Sequence, residues 1–141
     1  MTGAPIHATT IAIGGRAVLI LGRSGAGKSD LAVRLIDRGA MLVSDDYTAL
    51  AVVCGRLIAS APAEIAGRME VRGIGIVPTP ALPSAPVALA VELDAVLERM
   101  PEPATRTFAS VPIPLIALAG LEPSAPIKLE IALQRFGIAE P

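Results

Sequence analysis

The segment Gly22-Arg23-Ser24-Gly25-Ala26-Gly27-Lys28-Ser29 meets the pattern G-x-x-x-x-G-K-S in full. Its chemistry is phosphate binding. The glycines let backbone N–H groups turn inward and cradle phosphate oxygens. A helix that starts at the loop aims its positive end at the same place. Lys28 adds a point charge for the β- and γ-phosphates, and the Ser29 hydroxyl can ligate magnesium. The flanks suit this reading. The apolar run Ala17-Val18-Leu19-Ile20-Leu21 leads into the loop as a buried strand, and Leu31, Leu35 and Ile36 follow it at helical spacing.

A phosphate loop says nucleotide but not reaction. Leu42-Val43-Ser44-Asp45-Asp46 ends a second apolar strand in two acids. One carboxylate can hold the metal, directly or through water, while the other accepts a proton from an attacking hydroxyl. Adjacent side chains on a strand point to opposite faces, so sharing one site requires a bend here. A plain Asp-Asp turn is the alternative. His7, the only histidine, lies on the strand before the loop, where it can pair with an aspartate or serve a structural role. Glu70 and Arg72 would share one face of a strand, as a metal-linked acid and a phosphate-directed base, or as a surface ion pair.

The elements that must position these residues read as follows. Residues 6–13 and 16–21 form a hairpin about Gly14-Gly15, and 29–38 form a helix stopped by Gly39. Residues 40–44 form a strand, and 48–53 with 57–59 a second hairpin about Gly55-Arg56. One helical turn is expected over 63–68, a strand interrupted by glycines over 70–77, and a loop over 78–86. A strand over 87–93 precedes a short helix over 93–100 and a loop over 101–103. Pro112 and Pro114 mark 111–118 as an edge strand. Residues 127–136 form a last helix with Ile127, Ile131 and Leu133 inward. This pattern predicts an α/β fold with a mixed sheet and antiparallel hairpins.

The 141 residues read as one phosphate-loop domain without a regulatory domain before it. With 52% hydrophobic and 2% aromatic residues, the core must be aliphatic, and base stacking on single-stranded nucleic acid is excluded. A net charge of -1 supplies no field for nucleic acid or an anionic membrane. No apolar run approaches the ~20 residues of a membrane-spanning helix. Lone Cys54 can form no internal disulfide, which suits the cytoplasm, and reads as a small buried strand residue.

Together these residues resemble the catalytic domain of HPr kinase/phosphorylase, which phosphorylates a serine of the phosphocarrier protein HPr. Four elements carry the likeness: His7, Gly22 to Ser29, Leu42-Val43-Ser44-Asp45-Asp46 and Glu70-Val71-Arg72-Gly73-Ile74-Gly75-Ile76, without gaps over residues 7–76. The resemblance implies ATP and Mg²⁺ as cofactors, an HPr-like partner, and a core related to that of phosphoenolpyruvate carboxykinase. It implies that Lys28 holds phosphates and Ser29 the magnesium, and that Asp45-Asp46 contains the proton acceptor, with Asp46 first choice and also a metal-side acid. His7 would pair with that acid, Glu70 would bind the metal, Arg72 would support the signature loop, and Arg99 would match a catalytic arginine. It also implies a homo-oligomer of the short, alphaproteobacterial type. Where the family has a loop rich in proline and arginine, residues 111–116 contain no arginine, which weighs against the reverse, phosphorolytic reaction. Two other functions fit the same motifs: an ATP-sensing module without transfer, and a kinase for a small metabolite.

Overall fold

The computed structural model describes residues 4–139. Ile6–Ile13 (β1) and Arg16–Leu21 (β2) pair antiparallel around the expected Gly14-Gly15 turn, with Ile13 opposite Arg16. The phosphate loop follows, then helix α1 (Lys28–Asp37), which buries Leu31, Ala32 and Leu35. Gly39, at φ 111°, ends the helix. Its N–H reaches Ile36 O and the N–H of Ala40 reaches Leu35 O, the paired closure that a left-handed residue permits.

Met41–Ser44 (β3) pairs antiparallel with β1, on the side of β1 away from β2. Tyr47–Val53 (β4) and Arg56–Ser60 (β5) form the second hairpin. Its tip is Cys54-Gly55, both at positive φ, so Cys54 is exposed in a turn and not a buried strand residue. A two-residue connection with two left-handed residues matches the twist of the strands it joins. A single 3-10 turn at Ala63–Ile65 precedes Arg68–Val71 (β6). This strand pairs with Gly75–Pro78 (β7), so the glycine-rich stretch is a hairpin and not one interrupted strand.

Ser84–Glu92 (β8) lies parallel to β2 and begins within the expected loop. No helix follows it. Leu93 N–H bonds Leu21 O and Asp94 is tied to the phosphate loop, so the chain is pinned straight where a helix would have to coil. Ala104–Phe108 (β9) and Val111–Ala117 (β10) form a third hairpin, and residues 115–117 of β10 lie parallel to β8. β10 is therefore internal, and β9 is the edge. The turn Ala109-Ser110 makes Phe108 and Val111 the closing pair, so Val111, Ile113 and Leu115 donate toward β9. Pro112 and Pro114 lack only N–H groups aimed the other way, at a stretch that β8 does not reach.

Helix α2 (Ala125–Phe136) buries Ala125, Pro126, Leu129, Ala132 and Leu133. That stripe, and not Ile127 and Ile131, faces the sheet; the two isoleucines are about half exposed. Spacing decides this, because Leu129, Ala132 and Leu133 share a helix face that Ile127 and Ile131 do not. No helix among the described residues is long and apolar enough to cross a membrane.

The central order is thus β3-β1-β2-β8-β10-β9, with β4 and β5 forming a second layer against β1 and β8. Alternation along β2 serves two cores. Val18 and Ile20 pack with Leu31, Leu35, Leu129 and Leu133 under the helices. Ala17, Leu19 and Leu21 pack with Leu50, Leu57 and Ile113 on the opposite face. Leu89 is fully buried in β8 against the helices. Leu89→Ala is expected to cost about 2–5 kcal/mol, read as a lowered midpoint in denaturant.

The strand directions have one consequence for chemistry. β3, β2, β8 and β10 run parallel to one another and β1 runs against them. Their carboxyl ends and the start of β1 therefore meet at one edge, the usual ligand crevice of an α/β sheet.

Candidate functional site

At that edge β2 passes into the phosphate loop. Gly27 takes φ 99°, a conformation that side chains rarely adopt, and a Cβ there would also press on Leu121 Cδ2 at 2.7 Å. Lys28 is buried, and its Nζ donates to Gly22 O at 2.7 Å and Arg23 O at 3.0 Å. The ammonium is thus folded over the loop, within the ring of its own main chain. Asp94, just past the end of β8, accepts the Arg23 N–H at 2.6 Å and pairs with the Arg23 guanidinium. This carboxylate fixes the first turn of the loop.

The two acids at the end of β3 are separated by a tight turn. Tyr47 N–H bonds Asp45 O at 2.7 Å across a single residue, Asp46, whose φ is 69°. A three-residue turn with a left-handed centre is rare and strained. It supplies the bend that two neighbouring strand residues need to serve one site. Asp45 is buried and accepts three hydrogen bonds: from Ser29 Oγ at 2.6 Å, Thr9 Oγ1 at 3.2 Å and the Glu70 N–H at 3.0 Å. Asp46 is exposed, and its Oδ1 lies 3.1 Å from His7 Nε2. The His7 ring also lies against Tyr47, its cross-strand neighbour, with centroids 5.3 Å apart.

His7, Ser29, Lys28, Asp45 and Asp46 are therefore brought to one place. The order of the two acids is specific: Asp45 meets the Ser29 hydroxyl, whereas Asp46, expected on both the metal and the base, meets His7. Glu70 joins the group through its main-chain N–H, with an exposed side chain. Arg72 does not share a strand face with it. β6 ends at Val71, and the turn closed by Ile74 N–H to Val71 O carries Arg72 out to the surface. Arg99 is not brought to the group. It lies exposed past β8, lining a depression of about 330 Å³ with Ile116, Lys128 and Ile131.

The sequence reading did not mark Thr9, Tyr47 or Asp94. Thr9 was within reach of a period-two argument, since it shares a face of β1 with His7. Asp94 was signalled by an apolar strand ending in acids, the pattern already noted at Asp45-Asp46.

These residues fit a nucleoside triphosphate with its magnesium. Gly27 has the left-handed backbone that such a cradle requires, Lys28 sits in the loop, and the Ser29 hydroxyl already faces a carboxylate. Fold and site define a mixed α/β protein with a glycine-rich loop between strand and helix and a histidine-paired acid beside it.

Comparison with known proteins narrows that class. The family model for the HPr serine kinase C-terminal domain matches residues 2–83, more than half the chain, and the chain belongs to that family. An HPr kinase/phosphorylase of Clostridium tetani is 43% identical over 77 residues, 55% of this chain and 25% of the relative. One of Malacoplasma penetrans is 39% identical over 72 residues, 51% of this chain and 24% of the relative. The chain thus spans about a quarter of the length of these relatives. The fold extends the likeness beyond the matched sequence. The HPr(Ser) kinase/phosphatase of Coxiella burnetii superposes with a TM-score of 0.82 at 27% identity, covering 94% of this chain and 89% of that one.

Proposed function

We propose that this chain is a protein serine kinase that moves the γ-phosphoryl group of MgATP to a serine of an HPr-like phosphocarrier protein. The observation that carries this reading is the adjacency of two pairs, Ser29–Asp45 and His7–Asp46, on one bend beside the phosphate loop. The first pair suits the metal and the second suits proton transfer. The finer kinship of the core, to phosphoenolpyruvate carboxykinase, belongs to the same reading.

Each residue has a part. The amides from Gly22 to Ser29 and the Lys28 ammonium hold the phosphates. Ser29 and Asp45 hold the magnesium side, and Glu70 stands next to Asp45 for the same ion. The hairpin turn with Arg72 supports Glu70. Bound MgATP supplies the transferred group and neutralises its charge, and the serine oxygen gains the bond to phosphorus that the β–γ bridging oxygen loses. Asp46 takes the proton of that serine hydroxyl, and His7 holds the carboxylate in position. Asp46 is 62% exposed, which lets a serine on the surface of a folded protein reach it. Positioning and charge neutralisation account for most of the catalysis.

The forward direction is favoured by what the β9–β10 hairpin offers. Its one arginine, Arg106, lies 3.6 Å from Glu92, and residues 111–116 hold no cation for a phosphoserine. Under the same reading the chain works in the cytoplasm and assembles with its own copies.

The test is a transfer assay with γ-labelled ATP, an HPr-like protein in one arm and a pool of hydroxylated metabolites in the other. Label is expected on a serine of the protein. Label in the metabolite arm alone would make the chain a small-molecule kinase. ATP uptake with no transfer in either arm would make it a nucleotide sensor.

A further inference from the structure

The strand order gives the bound nucleotide a direction. The acids follow β3, on one flank of the phosphate loop, with β1 between. On the other flank the loop meets the segments after β8 and β10. A triphosphate that presents its terminal phosphorus to Asp45 and Asp46 must leave the cradle toward β8 and β10, carrying its nucleoside there.

That flank is built and apolar at its tip. Leu93, after β8, packs beneath, with its Cβ 3.3 Å from where a Cβ on Gly22 would stand and its Cδ1 2.8 Å from the same point on Gly120. The turn after β10 is held by α1. The Arg34 guanidinium donates to Glu122 O at 2.9 Å and also to Gly120 O. The helix that begins with Lys28 and Ser29 therefore fixes the residue between those carbonyls. That residue, Leu121, lies against Gly27 of the loop yet remains 68% exposed. A large aliphatic side chain whose backbone is pinned at the mouth of a phosphate site, and which is left mostly in water, has apolar surface to offer a ligand.

We infer that residues 118–121 form the nucleoside side of the site, and that Leu121 supplies the apolar surface on which the flat face of the nucleobase lies. This rests on the reading that the loop holds a nucleoside triphosphate. An aliphatic contact is what this flank can offer, since residues 118–121 include no aromatic side chain. Leu121 is here a binding residue, apart from the proton-transfer machinery across the loop.

Calorimetry of the full chain with two probes, magnesium ATP and magnesium tripolyphosphate, tests this. The second carries the phosphates without the nucleoside. Leu121→Asn is expected to weaken ATP binding roughly ten-fold and leave tripolyphosphate binding unchanged. Leu121→Met, which keeps apolar bulk, is expected to restore most of the ATP affinity. Equal loss for both probes would show that Leu121 merely props the loop, and unchanged ATP affinity would show that the base lies elsewhere. Either result overturns the inference while the phosphate-loop reading stands. Uptake of neither probe by the unmodified chain removes that reading, and this inference with it.

Discussion

Asp46→Asn is expected to lower phosphoryl transfer by about 10²–10⁴-fold while leaving ATP uptake unchanged. Asparagine is the informative replacement because of the backbone. Asp46 sits at φ 69° in the centre of the turn closed by Tyr47 N–H and Asp45 O. Asparagine tolerates that conformation better than most residues, and its amide oxygen can keep the contact with His7 Nε2. What it loses is the ability to take a proton. Alanine would mix that loss with strain. Glycine separates the two: Asp46→Gly is expected to melt no lower than the unmodified chain, because it relieves the left-handed residue, and still to fail in transfer. Normal transfer by Asp46→Asn would move the proton-accepting role away from Asp46, with Asp45 the remaining carboxylate on the bend.

The chemistry of this edge was legible where it is local in sequence. Gly22 to Ser29 needs only itself and its flanking strand and helix to form a cradle. The requirement for a bend at Asp45-Asp46 followed from strand alternation, and a one-residue turn meets it. His7 was readable as the partner of the proton-accepting acid, with Asp46 the first choice through the family resemblance, and the structure pairs these two. What local sequence does not carry is the register that sets His7 opposite Tyr47 and so beside Asp46. The same limit explains the errors. Two prolines mark a strand with missing donors, yet only the pairing of β10 shows that the missing donors face unpaired space. Residues 93–100 carry no sign in their own sequence that Leu93 and Asp94 are anchored to Leu21 and Arg23. On α2, by contrast, the error was avoidable, because helical spacing alone groups Leu129, Ala132 and Leu133 on a face apart from Ile127 and Ile131.

Long-range register also builds the part of the site that a motif search misses. Asp45 joins three segments: Thr9 from β1, Ser29 from the loop and the main chain of Glu70 from β6. The hairpin that carries Glu70 and Arg72 is thereby tied to the hydroxyl expected at the magnesium. A two-stranded ribbon separate from the main sheet has little else to fix its position. Met69, buried in the helix-side core, and Val71, packed against that core, are further anchors. One buried carboxylate therefore contributes to both site geometry and hairpin placement.

Lys28→Met gives the opposite signature to Asp46→Asn: nucleotide and tripolyphosphate binding are both expected to weaken on the order of 10²–10³-fold, with transfer lost in consequence. Lys28 is only 6% exposed, and its Nζ is bonded to two carbonyls of the loop it serves. A charge on a side chain so buried meets phosphate oxygens with less screening than at an open surface, and one ammonium–phosphate contact there is worth correspondingly more. Methionine fills the space of the stem but provides neither charge nor donor. The carbonyls of Gly22 and Arg23 then lose their partner, and each can turn to water, since Gly22 is half-buried and Arg23 exposed. The stability cost is accordingly near the low end of about 1–3 kcal/mol. Arginine is not an equivalent replacement, because its larger planar guanidinium lacks the compact point charge and rotatable donors of an ammonium. Calorimetry with both probes, beside a thermal melt without ligand, separates lost affinity from lost fold. ATP uptake by Lys28→Met equal to that of the unmodified chain would mean that the loop does not hold the phosphates, and the carboxylates beside it would then have nothing to act upon.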